Sequence, residues 1–417
     1  MSDKPWLALL LSRRMLICLF TGFSSGLPLY LLLNLVPAWL KSEGVDIKAI
    51  GLLALIQFPY TWKFIWAPLM DRFTVLPLGR RRGWMLLCQL ILLCSIAGMG
   101  LLDPGGEFWS IAALAGCVAF FSASQDIVLD AFRREILSDE QLGLGTSLHV
   151  NAYRIAGLVP GALALILADH LPWAQVFFIT ALFMLPGVVL TLLVKEPQLV
   201  RVPQTLREAV VEPFHEFMTR QGWRSALLIL LFLFLYKLGD SMATALATPF
   251  YLDLGFSKTD IGIIAKNAGL WASVLGGLLG GIWMISLGIN RALWLFGLVQ
   301  LGSILGFVWL SGLTPSLWAL GLVIGFEALG VGLGTAAFTA FIARTTDPRY
   351  TATQFALFTS LAAVPRTVVN ASTGYLVAAL GWQHFFWLCT LLAVPGMVLL
   401  LKVAPWYDKS PASSSQT

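Results

Sequence analysis

Long apolar stretches, separated by short polar connections, run through almost the whole chain. Each is long enough to cross a hydrocarbon core of about 30 Å as a helix. They cover approximately residues 15–40, 48–69, 84–102, 109–131, 146–168, 173–194, 224–250, 259–285, 292–312, 316–343, 352–380 and 383–403. Because a backbone in lipid must satisfy its own hydrogen bonds, this pattern predicts an all-α polytopic membrane protein with 12 transmembrane helices.

Composition supports the same class of protein. Hydrophobic residues make up 58% of the chain and charged residues 12%, and the mean hydropathy is +0.81. A soluble domain carries about 25% charged residues. The net charge of +5 is explained by basic residues that set the orientation in the membrane and attract anionic lipid. No nucleic-acid partner is therefore expected. All five cysteines fall inside predicted spans, which argues against a disulfide framework.

The distribution of basic residues predicts the orientation. An even number of spans places both termini on one side of the membrane. Nineteen of the 27 Lys and Arg residues fall in the tails and the even-numbered connections, and three fall in the opposite connections. By the positive-inside rule, both termini are predicted to be cytoplasmic. No small-residue cleavage site follows the first apolar stretch, so it is interpreted as an uncleaved helix.

One long polar segment, from Lys195 to Arg224, divides the chain into halves that resemble each other. Pro37 and Pro249 occupy matching segments 212 residues apart, and Arg154 and Arg366 are separated by the same distance. The prediction is a six-helix bundle over 1–194 and a cytoplasmic linker over 195–223 with an amphipathic helix. A second six-helix bundle with a short tail follows over 224–417. The two bundles are expected to be pseudo-symmetric, with a central cavity at the midplane.

Ionisable residues inside the spans are candidates for function, since each costs about 2.5–3.5 kcal/mol at the bilayer centre and must face protein or water. The basic ones are Lys63, Arg154, Lys237, Lys266 and Arg366, and the acidic ones are Asp126, Asp130, Asp240 and Glu327. A guanidinium binds a carboxylate or phosphate bidentately, which suits an anionic substrate. The candidate substrate-binding residues are Arg154, Arg366, Lys237, Tyr153 and Gln125.

Asp126 is the first candidate for exchanging a proton, with Asp240 and Glu327 as alternatives. Its pKa would fall when it pairs with Arg154 and rise when a substrate takes that arginine. A fixed ion pair between Asp126 and Arg154 is the competing interpretation. Asp240 lies one turn from Lys237, and the two are expected to pair. Lys63 can snorkel to the cytoplasmic boundary, and for Lys63 and Asp130 a structural role is favoured over substrate contact.

A short basic segment, PLMDRFTVLPLGRRRGW over Pro68–Trp84, connects the second and third spans. It resembles the loop between helices 2 and 3 of the major facilitator superfamily, although it carries a five-residue insert at Thr74–Leu78. The resemblance implies a cytoplasmic latch with a conformational role and no substrate contact; an ordinary positive-inside loop is the alternative. The latch residues are Asp71, Arg72, Arg80, Arg81 and Arg82, with Asp130 as the acid that completes them.

Several longer strings resemble one family within that superfamily, the AmpG muropeptide permeases. They are GFSSGLPL (22–29), WKFIWAPLMDRF (62–73), GRRRGW (79–84), SASQDIVLDAF (122–132) and YRIAGLVPG (153–161). The resemblance implies import of N-acetylglucosaminyl-1,6-anhydro-N-acetylmuramyl peptides from periplasm to cytoplasm, driven by the proton gradient, for cell-wall recycling. It also implies a link to β-lactamase induction. An inner-membrane location, no cofactor and a monomer are expected.

Two other functions remain open at this point. An importer of another anionic small molecule, such as an iron siderophore, would use the same scaffold. A membrane enzyme or channel would be a different class, but the sequence contains no His/Cys metal cluster, nucleophile motif or P-loop. An enzyme is therefore not expected.

Overall fold

The computed structural model describes residues 10–45, 58–196, 205–367 and 369–407, except the side chains at 206, 207, 258, 259, 262, 265, 266, 365–367 and 371. Within these residues the regular structure is helical, without a β-strand. Nine of the described helices are long and apolar enough to cross a membrane. The prediction of an all-α polytopic membrane protein is confirmed.

Each of the first six predicted spans contains helical structure, and residues 48–57 of the second lie outside the described residues. The second is broken into an α-helix at Phe58–Trp62, a 3₁₀ turn at Lys63–Ile65 and an α-helix at Ala67–Arg72, together called α2. The other five are α1 (Arg13–Ser42), α3 (Arg80–Met99), α4 (Phe108–Ile136), α5 (Asp139–Ala168) and α6 (Trp173–Leu193). Of these, α1 and α5 contain π turns at Leu31–Leu35 and Val159–Leu163, close to Pro28 and Pro160.

The linker contains two short helices, Leu206–Val210 and Glu212–Gln221. The second half begins with α7 (Trp223–Asp253) and continues through Lys258–Ile264, a π turn at Ala265–Gly269 and the helix Leu270–Ser311. The later helices are α10 (Leu317–Thr345), α11 (Thr351–Thr367) and α12 (Thr373–Val403).

Two of the predicted boundaries between spans are glycine kinks rather than loops. Gly288 has a φ of 73° and divides the run Lys258–Ser311 into α8 before it and α9 after it. Gly381, with a φ of 74°, marks the predicted start of the twelfth span within α12. This left-handed conformation is accessible to glycine without strain, so the chain turns sharply with no polar connection. Because Gly288 and Gly381 each lie inside one long helix, the nine long helices correspond to more than nine of the predicted spans.

The chain divides into two compact units. Unit 1 comprises Met1–Phe217 and Ile342–Leu361, and unit 2 comprises Met218–Phe341 and Ala362–Thr417. The core of unit 1 includes Trp39 and Phe177, whose ring centroids are 4.8 Å apart. The core of unit 2 is built around Phe250, Phe307 and Phe386. The start of α11 belongs to unit 1, where Ala352 and Ala356 are buried beside Met70 and Phe132.

Glycines allow the closest helix contacts in each unit. In unit 1, a Cβ at Gly22 or Gly26 would lie 2.1 or 2.2 Å from the backbone oxygen of His149 or Tyr153. The backbones of α1 and α5 therefore touch directly along the GFSSG string. In unit 2, a Cβ at Gly276 would lie 2.2 Å from the backbone oxygen of Leu329. Such close approach is typical of glycines at GxxxG spacing, as Gly276 and Gly280 are.

Gly22→Ala is expected to destabilise the protein, because the added methyl group meets a backbone atom that cannot move without separating α1 from α5. The expected loss is about 1–3 kcal/mol, measured as thermal unfolding in detergent. Gly116→Ala on α4 is the matched control, since nothing lies within 4 Å of its Cβ position. Equal melting temperatures for the two variants would contradict the direct backbone contact.

Candidate functional site

The carboxylate of Asp71, at the end of α2, is fully buried and occupies the N-terminus of α11. It accepts hydrogen bonds from the Thr353 backbone N–H at 2.8 Å, the Thr353 hydroxyl at 2.7 Å and the Ala352 backbone N–H at 3.3 Å. Arg81 donates to the same carboxylate at 2.8 Å. A negative charge at a helix N-terminus is favourable because the first N–H groups have no partner inside the helix.

Arg81 connects Asp71 to a second acid, Glu135, in the last turn of α4. The guanidinium donates to Glu135 at 2.6 and 3.0 Å and to the Thr351 hydroxyl at 2.9 Å. Thr351 in turn donates to Glu135 at 2.5 Å. Arg80 lies 3.7 Å from Glu135 and donates to the Asp71 backbone oxygen. These buried charges form one compensated network at the start of α11.

Glu135 was missing from the predicted latch, and Asp130 was assigned its place. Asp130 lies instead with Arg133, which donates to it at 2.8 Å, and with Lys63 at 3.9 Å. The reason is the length of α4, which continues to Ile136 although the apolar stretch ends near 131. Asp130 is therefore a full turn inside the helix, and Glu135 reaches the arginines.

The other predicted latch residues have different neighbours. Arg82 donates to the backbone oxygens of Thr191 and Leu192 at 3.0 and 2.8 Å, which ties it to the end of α6. Arg72 lies over the Phe73 ring, 4.9 Å from its centroid. Arg82 thus connects the start of α3 to α6 through hydrogen bonds. The contact described for Arg72 is with Phe73, its neighbour in the sequence.

Glu196 is a further residue that the sequence analysis did not include. Its carboxylate accepts from the backbone N–H groups of Arg81 and Arg82 at 2.8 and 3.1 Å, and so caps the N-terminus of α3. Gly79, which precedes α3, has a φ of 108°, and a Cβ there would lie 2.6 Å from Glu196 Cδ. The positive φ therefore favours glycine at this position.

The linker helix Glu212–Gln221 also packs against the start of α11. Gln354 donates to the Pro213 backbone oxygen at 2.9 Å and to Glu216 at 2.8 Å. The rings of Phe217 and Phe358 are 4.9 Å apart. The first turns of α11 are thus held by α2, α4 and the linker within unit 1.

Asp347 precedes α11 outside the membrane-spanning helices and accepts hydrogen bonds from Arg349 at 2.9 and 3.1 Å. Burial raises the pKa of Asp347, but the hydrogen bonds from Arg349 outweigh burial and hold this pKa below its ordinary value. Its contribution to stability is therefore present above the ordinary pKa and is lost as the pH falls through the lowered one.

A second charge cluster lies deeper in unit 1. Asp126 on α4 accepts a hydrogen bond from the Ser25 hydroxyl on α1 at 2.5 Å. Asp130 lies one turn from it on the same helix. Lys63 is 7% exposed and so does not snorkel as predicted. Its partner in the cluster is Asp130.

The remaining predicted substrate residues of unit 1 lie on α4 and α5. Gln125 is buried and donates to the backbone oxygen and hydroxyl of Ser24 at 2.9 and 3.3 Å, so its amide ties α4 to α1. Tyr153 is half-buried, and its ring meets Tyr30 edge-on at 5.7 Å. Arg154 is half-buried in the last turn before the π turn of α5.

In unit 2, α7 is interrupted at Lys237, where φ is −100° and ψ is 0°. The Lys237 ammonium lies 3.5 Å from Asp240, the pair expected from their spacing. Gln300 donates to the same carboxylate at 3.4 Å. Glu327 is half-buried on α10. The side chains of Arg366 and Lys266 lie outside the described residues.

Buried ionisable residues inside a bundle of apolar helices are typical of membrane transporters. Residues 18–370 match the Major Facilitator Superfamily. An anhydromuropeptide permease of Escherichia coli (strain K12) is 43% identical over 402 residues, which cover 96% of this chain and 81% of that protein. The chain therefore belongs to the Major Facilitator Superfamily and, within it, to the AmpG permease family.

Other relatives extend this comparison. An uncharacterized protein of Haemophilus influenzae is 52% identical over 414 residues and 97% of each chain. Among solved structures, a bacterial homologue of the iron transporter ferroportin has a TM-score of 0.69 at 15% identity, covering 94% of this chain and 99% of that one. A human organic anion transporter has a TM-score of 0.67 at 17% identity, covering 93% and 99%. At these identities the two structures show the fold alone.

Asp71→Asn is expected to slow transport while leaving substrate affinity nearly unchanged. The amide keeps an acceptor for α11 but loses the charge that pairs with Arg81, which weakens the network by about 2 kcal/mol. Transport rate and binding are measured separately on the same membranes. Asp139→Asn is the control, because this 66% exposed carboxylate pairs only with Arg134 among the described residues. Complete loss of binding by a normally inserted Asp71→Asn protein would place the network in the substrate site.

Proposed function

We propose that this protein imports anhydromuropeptides, the GlcNAc-1,6-anhydroMurNAc peptides of cell-wall turnover, from periplasm to cytoplasm by symport with protons. The observation that carries the proposal is the 43% identity to the Escherichia coli anhydromuropeptide permease over 96% of this chain. A transporter is favoured over a membrane enzyme, since this relative is a permease and the chain matches the Major Facilitator Superfamily. The proposed location is the bacterial inner membrane, with both termini cytoplasmic and the protein a monomer.

An importer of another anion, such as a siderophore, is the weaker candidate. Support for this candidate would have to come from transporters of other substrates. The ferroportin homologue and the organic anion transporter are only 15 and 17% identical to this chain. The relatives at higher identity include a putative AmpG transporter of Rickettsia felis, 33% identical over 391 residues. The muropeptide substrate is therefore preferred.

Within this function, Asp126 is the proposed proton-coupling acid. It lies inside α4, accepts a hydrogen bond from Ser25 and has both cations and an acid in its surroundings. A carboxylate in such a place exchanges a proton when its charged neighbours change. Asp240 is the weaker alternative because Lys237 lies 3.5 Å away and favours its ionised form. Glu327 on α10 is the other alternative.

Substrate binding is assigned to cations of both predicted halves. Arg154, Arg366 and Lys237 are the proposed anchors for substrate carboxylates, with Tyr153 placed to stack on a sugar ring and Gln125 to support the site. The hydrogen bonds of Gln125 to Ser24 give it a positioning role between α1 and α4. The network of Asp71, Arg80, Arg81 and Glu135 is proposed to hold the cytoplasmic side closed between import steps.

Labelled anhydromuropeptide should accumulate in right-side-out membrane vesicles that contain the protein and carry a proton gradient. A protonophore should abolish accumulation, because the gradient supplies the driving force. Vesicles without the protein are the control, and a ferric siderophore is the competing substrate. Accumulation of the siderophore without the muropeptide would overturn the proposed function in favour of its alternative.

Asp126→Asn should abolish accumulation yet retain counterflow, since exchange of labelled for unlabelled substrate needs no net proton movement. Asp240→Asn and Glu327→Gln, measured in parallel, test the two alternative acids. The variant that loses accumulation but keeps exchange identifies the coupling residue. If Asp126→Asn still accumulates substrate in a protonophore-sensitive way, another acid carries the proton.

A further inference from the structure

The break in α2 brings a lysine into the interior of unit 1. Between the helices Phe58–Trp62 and Ala67–Arg72 lies the 3₁₀ turn Lys63–Ile65. Trp62 and Trp66, on either side, have ψ values of 8° and −5°. A short 3₁₀ stretch within a helix often marks a functional hinge. Here it places Lys63, only 7% exposed, beside the acids of α4.

The cluster around Lys63 is electrically balanced but has too few acceptors. Its cations are Lys63 and Arg133, and its anions are Asp126 and Asp130. Arg133 is 1% exposed and uses Nη2 on Asp130, while its Nε and Nη1 have no hydrogen-bond partner among the described residues. Buried donors without acceptors are costly, so this cluster favours one more anion.

Lys63 also has hydrogen-bonding capacity left. Asp130 Oδ1 accepts from Arg133 at 2.8 Å, whereas its Oδ2 is 3.9 Å from Lys63, longer than a hydrogen bond. An ammonium carries three donors. The side chains of Lys63 and Asp130 keep 9 and 14% exposure.

The other groups that face this cluster come from three helices. Tyr60 on α2 lies within the field of Asp126, and Ser25 on α1 donates to Asp126. His149 on α5 lies within the fields of Arg133 and Lys63, and its Nδ1 is 3.3 Å from the Thr21 hydroxyl. Arg154, the cation first considered for Asp126, is on the same helix as His149.

We propose that Lys63 binds a carboxylate of the substrate, and that it does so when Asp126 has taken up a proton. The proposal rests on the proposed function and names a residue for its coupling step. With both acids ionised, the two positive and two negative charges cancel. A proton on Asp126 leaves one positive charge in excess, and a substrate carboxylate at Lys63 restores the balance. When Asp126 releases its proton, the carboxylate is repelled and leaves.

The test is binding of labelled anhydromuropeptide to the purified full chain at mildly acidic and mildly alkaline pH. The unmodified protein should bind more tightly at the acidic pH. Lys63→Gln should weaken acidic-pH binding by about tenfold or more and remove the pH dependence. Asp126→Asn should bind at both pH values as the unmodified protein does at acidic pH. Lys63→Arg, which keeps the charge, should recover part of the affinity.

A second ligand separates substrate contact from a purely structural role. It is the same muropeptide with its peptide carboxylates converted to amides. If Lys63 touches a carboxylate, Lys63→Gln and the unmodified protein bind this neutral ligand equally. If Lys63 only holds Asp130, both ligands are weakened alike, and Asp130→Asn, the matched control, weakens them as Lys63→Gln does.

Two results would overturn the inference. One is equal weakening of the acidic and amidated ligands by Lys63→Gln. The other is unchanged binding of the acidic ligand by that variant. An unmodified protein that binds neither ligand would overturn the proposed function, and the inference with it.

Discussion

An ionised side chain inside a bilayer is stable only when other groups in the protein balance its charge. In unit 1 this requirement is met at two depths. At the start of α11, Asp71 and Glu135 surround Arg81 at 2.8 and 2.6 Å, and the backbone N–H groups of α11 complete the coordination of Asp71. Deeper in the unit, Asp126 and Asp130 balance Lys63 and Arg133 less completely.

The two clusters are joined by α4, which carries Asp126, Asp130, Arg133 and Glu135 on one helix. Arg133 also lies over the ring of Phe355 in α11, 5.6 Å from its centroid. A change in the charge of Asp130 therefore acts on the guanidinium of Arg133. This guanidinium contacts α11, and Asp71 binds the N-terminus of the same helix. Arg133 therefore links the deeper acids to α11.

The apolar pattern was enough to predict the helices, because hydrocarbon thickness and backbone hydrogen bonding leave few alternatives. The pairing of Lys237 with Asp240 was also predictable, since residues three apart on a helix are neighbours. The acid that pairs with the arginines of the basic loop could not be predicted in this way. Hydropathy falls at Arg133 and Arg134 although α4 continues to Ile136, so the acid at the loop was placed five residues too early.

The burial of Lys63 could not be predicted from the sequence for a different reason. An apolar stretch with one lysine near its end is compatible with a straight helix and a snorkelling side chain. The 3₁₀ turn Lys63–Ile65 changes the phase of α2 and turns the lysine inward. The pattern of apolar residues does not predict such a turn. Glu196, which caps α3, was equally invisible because its partner N–H groups come from Arg81 and Arg82, far from it in the sequence.

Substrate and proton are proposed to bind together because one charge balances the other. The direct measurement is the number of protons taken up when anhydromuropeptide binds, obtained by calorimetry in buffers that differ in ionisation enthalpy. At a pH where Asp126 is ionised in the free protein, we expect uptake of about one proton per ligand, and none for Asp126→Asn. Ligand binding without proton uptake, or the same uptake in Asp126→Asn, would contradict it.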